Sequence, residues 1–222
     1  MMKILYHDRD IAVTVKPVGA LSERDGNKVS VPLLLEEALG GERDIRSVHR
    51  LDKNVGGVMV YALSARAASK LTEDVKNGKV VKEYAAVVKG VPDPAEGEMS
   101  DLLYHDPSKN KTFVVKRERK GVRDAKLAYR TLCTKNGLSL VRVRLFTGRT
   151  HQIRIQFASR SLPLVGDGRY GDRGGGDKPM LFSFRLSFEH PVSGTPLSFT
   201  ALPDFSEVGF DGEDTESLVK DN

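Results

Sequence analysis

The 222-residue chain has one cysteine, Cys133, so no internal disulfide can form. Its neighbours Leu132 and Thr134 suggest a strand, and a buried, inert thiol is expected. No apolar run approaches the ~18 residues of a membrane span. The opening Met1-Met2-Lys3-Ile4-Leu5-Tyr6-His7-Asp8 lacks the apolar core and small-residue cleavage site of a secretory leader. A cytoplasmic location is the default expectation. There is no Walker loop, and Gly166-Asp167-Gly168-Arg169-Tyr170-Gly171 lacks both the glycine spacing and the preceding strand of a dinucleotide fingerprint. No Cys/His cluster has zinc spacing, His49 and His151 are isolated, and a serine nucleophile elbow is missing. Any chemistry is therefore expected from side chains alone, with no cofactor and no metal.

What is present is ordinary for a soluble globular protein with a sizeable core: 39% hydrophobic and 29% charged residues. The net charge of +5 hides an asymmetry. From Glu207 to Asn222, six carboxylates face Lys220 alone, which leaves +10 on the residues before them. A body this basic suits a polyanionic partner, most often nucleic acid, although a solvated basic surface has the same composition.

Asp10 to Lys16 reads as a strand stopped by Pro17, and Pro32 to Leu39 as a helix stopped by Gly40-Gly41. Ser64 is expected to cap a helix to about Asn77, with Ala68, Leu71 and Val75 on one face. Lys82 to Gly90 reads as a strand. His105 to Lys126 is polar and basic, interrupted by Thr112-Phe113-Val114-Val115. Ala128 to Thr134 and Leu138 to Phe146 read as a hairpin turned at Asn136-Gly137. A helix is expected to open near Thr150, as its cap, and run to about Ser159. Leu162 to Lys178 reads as a glycine-rich loop, and 181–188 and 196–200 as closing strands. Strands outnumber helices, which favours an α+β fold on a mixed, mostly antiparallel sheet with flanking helices. One domain over 1–206 is expected, followed by a frayed, flexible acidic tail over 207–222.

The candidate chemistry centres on Ser47-Val48-His49-Arg50-Leu51-Asp52, a polar group between two apolar runs and followed by Gly56-Gly57. Cations beside Asp52 favour its ionised form, which suits a nucleophile; a structural ion pair is the plainer alternative. Arg149-Thr150-His151-Gln152-Ile153-Arg154 gathers two arginines and polar donors at a helix start. Tyr84 stands among apolar strand residues, where its ring can stack on a flat ligand or simply fill the core.

Four motifs in order, His49-Arg50-Leu51-Asp52, Lys82-Glu83-Tyr84-Ala85-Ala86-Val87, Gly148-Arg149-Thr150-His151-Gln152-Ile153-Arg154 and Leu164-Val165-Gly166-Asp167, resemble the RluA family of RNA pseudouridine synthases. The likeness runs from about Ile4 to Phe205. It implies the pseudouridine synthase fold with a central cleft, and isomerisation of uridine in RNA without cofactor or metal; structured rRNA or tRNA is the expected substrate, and a monomer is expected because no apolar surface stripe stands out. It further implies that Asp52 is the catalytic carboxylate and that Arg50 helps evict the target nucleotide. Tyr84 would stack on the uracil and take the C5 proton, and Arg154 would pair with the aspartate. His49, Arg149, His151 and Gln152 match positions that shape the cleft and meet RNA. The basic stretch from Lys109 to Arg130 is expected to supply phosphate contacts. One departure is Val55-Gly56-Gly57 where the family usually has Thr-Ser-Gly, so two hydroxyls are missing. It motivates a second reading, a catalytically silent RNA-binding protein on the same fold. The catalytic motifs begin so early that no small S4-type RNA-binding domain is expected before them. Attack at C1′, attack at C6 and loss of the base all remain open as the first step.

Overall fold

Two apolar runs, Ile11 to Val13 and Val58 to Ala62, lose all contact with solvent, and the first part of the molecule is built round them. The computed structural model describes residues 2–41, 44–171 and 176–220. Its elements are β1 (Lys3–His7), β2 (Ile11–Lys16), α1 (Val31–Ala38), β3 (Arg46–Ser47), β4 (Gly56–Ala62), α2 (Ala65–Lys76), β5 (Val81–Lys89) and β6 (Glu96–Asp106). There follow β7 (Lys111–Val115), β8 (Val122–Lys135), β9 (Leu138–Leu145), α3 (Gln152–Ala158), β10 (Leu181–Glu189), β11 (Pro196–Thr200) and α4 (Gly212–Glu216). The backbone divides into two units, Met1–Lys82 with Ser183–Ala201, and Glu83–Phe182 with Leu202–Asn222.

In the first unit the strand order is β1-β2-β4-β10, with β3 beside β4 and β11 beside β10. The pairs β1–β2, β2–β4, β3–β4 and β10–β11 are antiparallel. Helix α2 starts as its sequence predicts: the Ser64 side chain accepts from the Ala67 N–H at 3.2 Å. Its buried face is rotated from the expected one, to Ala67, Leu71 and Asp74. Lys70 pairs with Asp74 at 2.5 Å, which makes burial of that carboxylate tolerable.

Gly57 stands opposite Lys16 in the β2–β4 ladder, at φ +129°. A Cβ there would lie 2.3 Å from the carbonyl oxygen of Ser183 and 2.5 Å from its nitrogen. Both are backbone atoms and cannot swing aside. Gly57→Ala is therefore expected to cost about 2–4 kcal/mol through strain and overpacking. A fall in urea midpoint at unchanged slope is the expected readout.

In the second unit the order is β5-β9-β8-β6-β7, and β6–β7, β6–β8 and β8–β9 are antiparallel. The predicted turn at Asn136-Gly137 is present, with φ +52° and +74°. Helix α3 packs on one face of this sheet, where Phe157 meets the Tyr129 ring edge-on at 5.6 Å. The tail expected to fray carries the short helix α4 and is described as far as Lys220. Asp211 caps α4 in a reciprocal capping box with Asp214, and Phe210, Thr215 and Leu218 are buried. Asp214 also takes Lys135 Nζ at 2.5 Å and the Cys133 thiol at 3.6 Å. Three spaced buried side chains and a cap are what this segment offers for packing. Cys133 is half-buried rather than buried, and burial, then Asp214, pushes its thiol up. Together the two units form the α+β arrangement expected, with strands predominating.

Candidate active site

Asp52 begins a tight turn: its carbonyl accepts from the Val55 N–H at 3.0 Å. It is half-buried, between the buried Leu51 and exposed Lys53. The loop around it is tied down on every side by the first unit. The Ser22 hydroxyl both donates to the Leu51 carbonyl at 2.8 Å and accepts from the Leu51 N–H at 2.9 Å. Ser47 Oγ and Tyr61 Oη both donate to the Ser22 carbonyl, fixing the clip itself. The carbonyl of Lys53 accepts from the Gly19 N–H at 2.8 Å. Val55, 2% exposed, sends its side chain into the core.

Lys16 was not singled out in the sequence, yet it holds this loop. It has no exposed surface, and its ammonium donates to the carbonyls of Val55 at 2.8 Å, Lys53 at 2.9 Å and Pro17 at 3.2 Å. Burial lowers its pKa to about 8, while the charge of Asp52 opposes the shift. The available signal was a lysine ending an otherwise apolar strand just before proline. Ser22 carried no such signal in the sequence.

His49 serves the backbone: its Nε2 accepts from the Val60 N–H at 3.1 Å. Burial of the imidazole, helped by the charge of Lys82, lowers its pKa to about 3. It is thus a neutral acceptor, not a cation for phosphate. Arg50, next in sequence, is exposed.

In the second unit, Tyr84 lies on β5 and is 6% exposed. Its neighbour Glu83 pairs with Arg142 at 2.7 Å. Arg154 is 3% exposed and forks onto Asp167 with two 2.7 Å bonds. It also donates to Asp177 at 2.6 Å, and its guanidinium lies 5.3 Å from the Tyr170 ring centre. Burial works against the charge on Asp177, but Arg169 and Arg154 hold its carboxyl below the usual range.

The helix start differs from the expected one. The residue before α3 is His151, held in the left-handed region at φ +55°, and Thr150 is not the cap. A hydrogen-bond relay sustains this conformation. The Thr112 N–H donates to Tyr170 Oη at 2.7 Å, and the same hydroxyl shares a 2.8 Å hydrogen bond with His151 Nδ1. Thr112 Oγ1 donates to the Thr150 carbonyl at 2.8 Å and takes the His105 ring proton at 3.1 Å. Gln152 is 3% exposed, and its amide is committed to the loop before it. Its Oε1 accepts from Thr147 Oγ1 and the Arg149 N–H, and its Nε2 donates to the Lys126 carbonyl. Arg149 is exposed and donates through Nε to the Asp124 carbonyl at 2.8 Å.

Among the described residues, no group of three His, Cys, Asp or Glu side chains is placed to hold a metal ion. No helix among them is long and apolar enough to cross a membrane. Chemically, the parts are a carboxylate on a rigid turn, a buried tyrosine on a central strand and a buried, fully engaged arginine. Residues 10–159 match the family model described as RNA pseudouridylate synthase. An uncharacterized RNA pseudouridine synthase of Aquifex aeolicus (strain VF5) is 33% identical over 89% of this chain and 68% of its own length. Ribosomal large subunit pseudouridine synthase D of Xanthomonas campestris pv. campestris is 32% identical over 90% of this chain and 65% of its own. The chain thus spans about two thirds of the length of these relatives. A solved structure of human RNA pseudouridylate synthase domain containing 4 shares the fold, with TM-score 0.76 and 24% identity over 97% of this chain and 92% of that one.

Proposed function

This chain belongs to the RNA pseudouridylate synthase family, and we propose that it isomerises uridine to pseudouridine in structured rRNA or tRNA with Asp52 as the catalytic carboxylate. The name of the Xanthomonas relative favours rRNA of the large subunit as the first substrate to try. The observation that carries the reading is the Asp52 turn, held by Lys16, Ser22 and Gly19, so that a charged group is aimed without reorganisation.

The reaction moves the base from an N1–C1′ to a C5–C1′ bond, and atoms balance within the nucleotide. The target base must first leave its stack, at a cost of a few kcal/mol. Arg50, exposed, fills the vacated place with its planar guanidinium. Asp52 acts on the uridine, the glycosidic bond breaks, and the uracil turns against the Tyr84 ring. C5 joins C1′, Tyr84 takes the C5 proton and passes it to solvent, and N1, freed from C1′, takes up one proton in its place, so the product is an isomer of the substrate. Arg154, which the family likeness assigns to the basic position of the site, is fixed in place by its bonds to Asp167 and Asp177. A silent RNA-binding chain is the second reading, motivated by Val55-Gly56. The loop anchors argue against it, because Val55 serves through its carbonyl and its buried side chain, neither of which needs a hydroxyl.

The test is incubation with uridine-labelled bulk RNA, followed by digestion and a search for pseudouridine. Product from the intact chain but not from Asp52→Asn supports the enzyme; RNA binding by both without product supports the silent reading. Lys16 adds a pH signature. Its folded pKa of about 8 lies below the 10.5 of an ordinary lysine. Between these values the unfolded chain keeps a proton that the folded chain has lost, so the cost of burying the ammonium is full below pH 8 and relieved towards 10.5. Function runs the other way, since the loop loses a charged donor beside Asp52. Turnover is expected to fall with an alkaline midpoint near pH 8. Lys16→Met removes that limb and lowers turnover throughout, by about tenfold for a buried donor to several carbonyls.

A further inference from the structure

The face of the second unit's sheet turned away from Tyr129 and α3 remains in solvent along much of its length, and it carries an unusual pairing of rings and cations. Phe146, just beyond β9, is 42% exposed. Lys126 Nζ lies 5.4 Å from its ring centre and the Arg144 guanidinium 5.7 Å. Phe146 is fixed by its N–H, which donates to the Lys126 carbonyl at 3.1 Å. Nearer the start of β8, the Arg119 guanidinium lies 4.7 Å from the ring centre of Tyr104 on the neighbouring strand β6. Tyr104 stands opposite Val122, four residues from Lys126 along β8, a span of about 13 Å. Beside Arg119 lies an open hollow of about 440 Å³, lined also by Leu102, Glu118, Arg123, Asp124 and Arg149.

We propose that this face, with Phe146 as a base-stacking platform and Arg119, Arg123, Lys126 and Arg144 as phosphate and stacking partners, docks an unpaired stretch of the substrate RNA. The inference rests on the RNA reading above and adds which form of RNA is held and where. Charge favours this occupant. Arg119, Arg123, Lys126, Arg144 and Arg149 outnumber Glu98, Glu118 and Asp124, and Lys116, Arg117 and Lys120 extend the excess into the adjoining turn. Lys126 is shared with Glu98 at 2.8 Å, so an incoming phosphate competes for it. A protein partner would need an apolar centre, whereas here one exposed ring is surrounded by cations. A duplex offers this ring no base face. Unpaired bases stack on aromatic rings and on arginine planes, and Arg119 presents such a plane.

The test uses the full chain carrying Asp52→Asn to suspend turnover, titrated by fluorescence anisotropy with a labelled single-stranded decauridylate and with a blunt RNA duplex of the same length. The single strand is expected to bind more tightly. Phe146→Ala is expected to weaken it about 5- to 100-fold, the scale of one base–aromatic stack, with little change for the duplex. Phe146→Trp retains binding. Arg123→Gln lowers the salt slope for the single strand by about 0.7, one phosphate contact fewer. Unchanged binding in Phe146→Ala, equal loss in Phe146→Trp, or no preference for the single strand overturns the proposal. If bulk RNA gains pseudouridine while Phe146→Ala binds the decauridylate normally, only this inference fails. If no pseudouridine forms but decauridylate binding depends on Phe146, the docking face stands and the catalytic reading fails.

Discussion

Asp52→Asn is expected to lower pseudouridine formation by at least about 10³-fold, the scale on which a nucleophile or a principal charge-stabilising group acts. The substitution keeps the side chain's shape and removes its charge. The turn survives, because it is the Asp52 carbonyl, not the carboxylate, that accepts from Val55. The loop's anchors, Lys16 and Ser22, also bind backbone atoms. The urea midpoint is therefore expected to move by no more than a surface change does, within about 0.5 kcal/mol. One side effect has a definite sign. Asp52 raises the pKa of Lys16 against burial, so its loss lowers that pKa further and shifts the associated stability change to lower pH. Measured turnover within tenfold of the intact chain would remove Asp52 from the chemistry.

The second large effect is on stability. Arg154→Met strips Asp167, which has no exposed surface, of both its 2.7 Å bonds and leaves a buried charge uncompensated. Breaking a buried pair from one side costs about 3–5 kcal/mol, read as a lower urea midpoint. Asp177 is less affected because Arg169 still donates to it at 3.0 Å. Adding Asp167→Asn to Arg154→Met is expected to recover part of the loss, since the orphaned charge goes with it. Arg154→Lys falls between, as an ammonium cannot reproduce the fork. Assayed where the variants remain folded, a turnover defect of Arg154→Met that persists beside the more stable double variant assigns the arginine a part in catalysis. Turnover restored in step with stability assigns it to architecture alone.

Much of the frame was legible from short-range chemistry. The Ser64 cap, the Asn136-Gly137 turn and the apolar runs of β2 and β4 follow from local rules, and each is in place. The strand β6 was missed because its sequence is mostly polar: of its eleven residues only Met99 and Leu103 are buried, too few for a clear alternation. The start of α3 was misread because a relay from Thr112 and Tyr170, distant in sequence, decides it. Of the site, the carboxylate and its flanking motif could be picked out by type and order. What holds them could not. Lys16 acts through backbone carbonyls thirty-seven and thirty-nine residues away, Ser22 through Leu51 twenty-nine away, and a contact to a main-chain atom leaves no mark on the residue contacted.

The capped segment after Phe205 has a practical meaning. A chain cut back to residue 206 would uncover the seats of Phe210 and Leu218 and leave Lys135 without Asp214. Such a shortened product is expected to stick to itself on purification, and labels or fusion partners belong after Lys220 rather than in place of the acidic stretch.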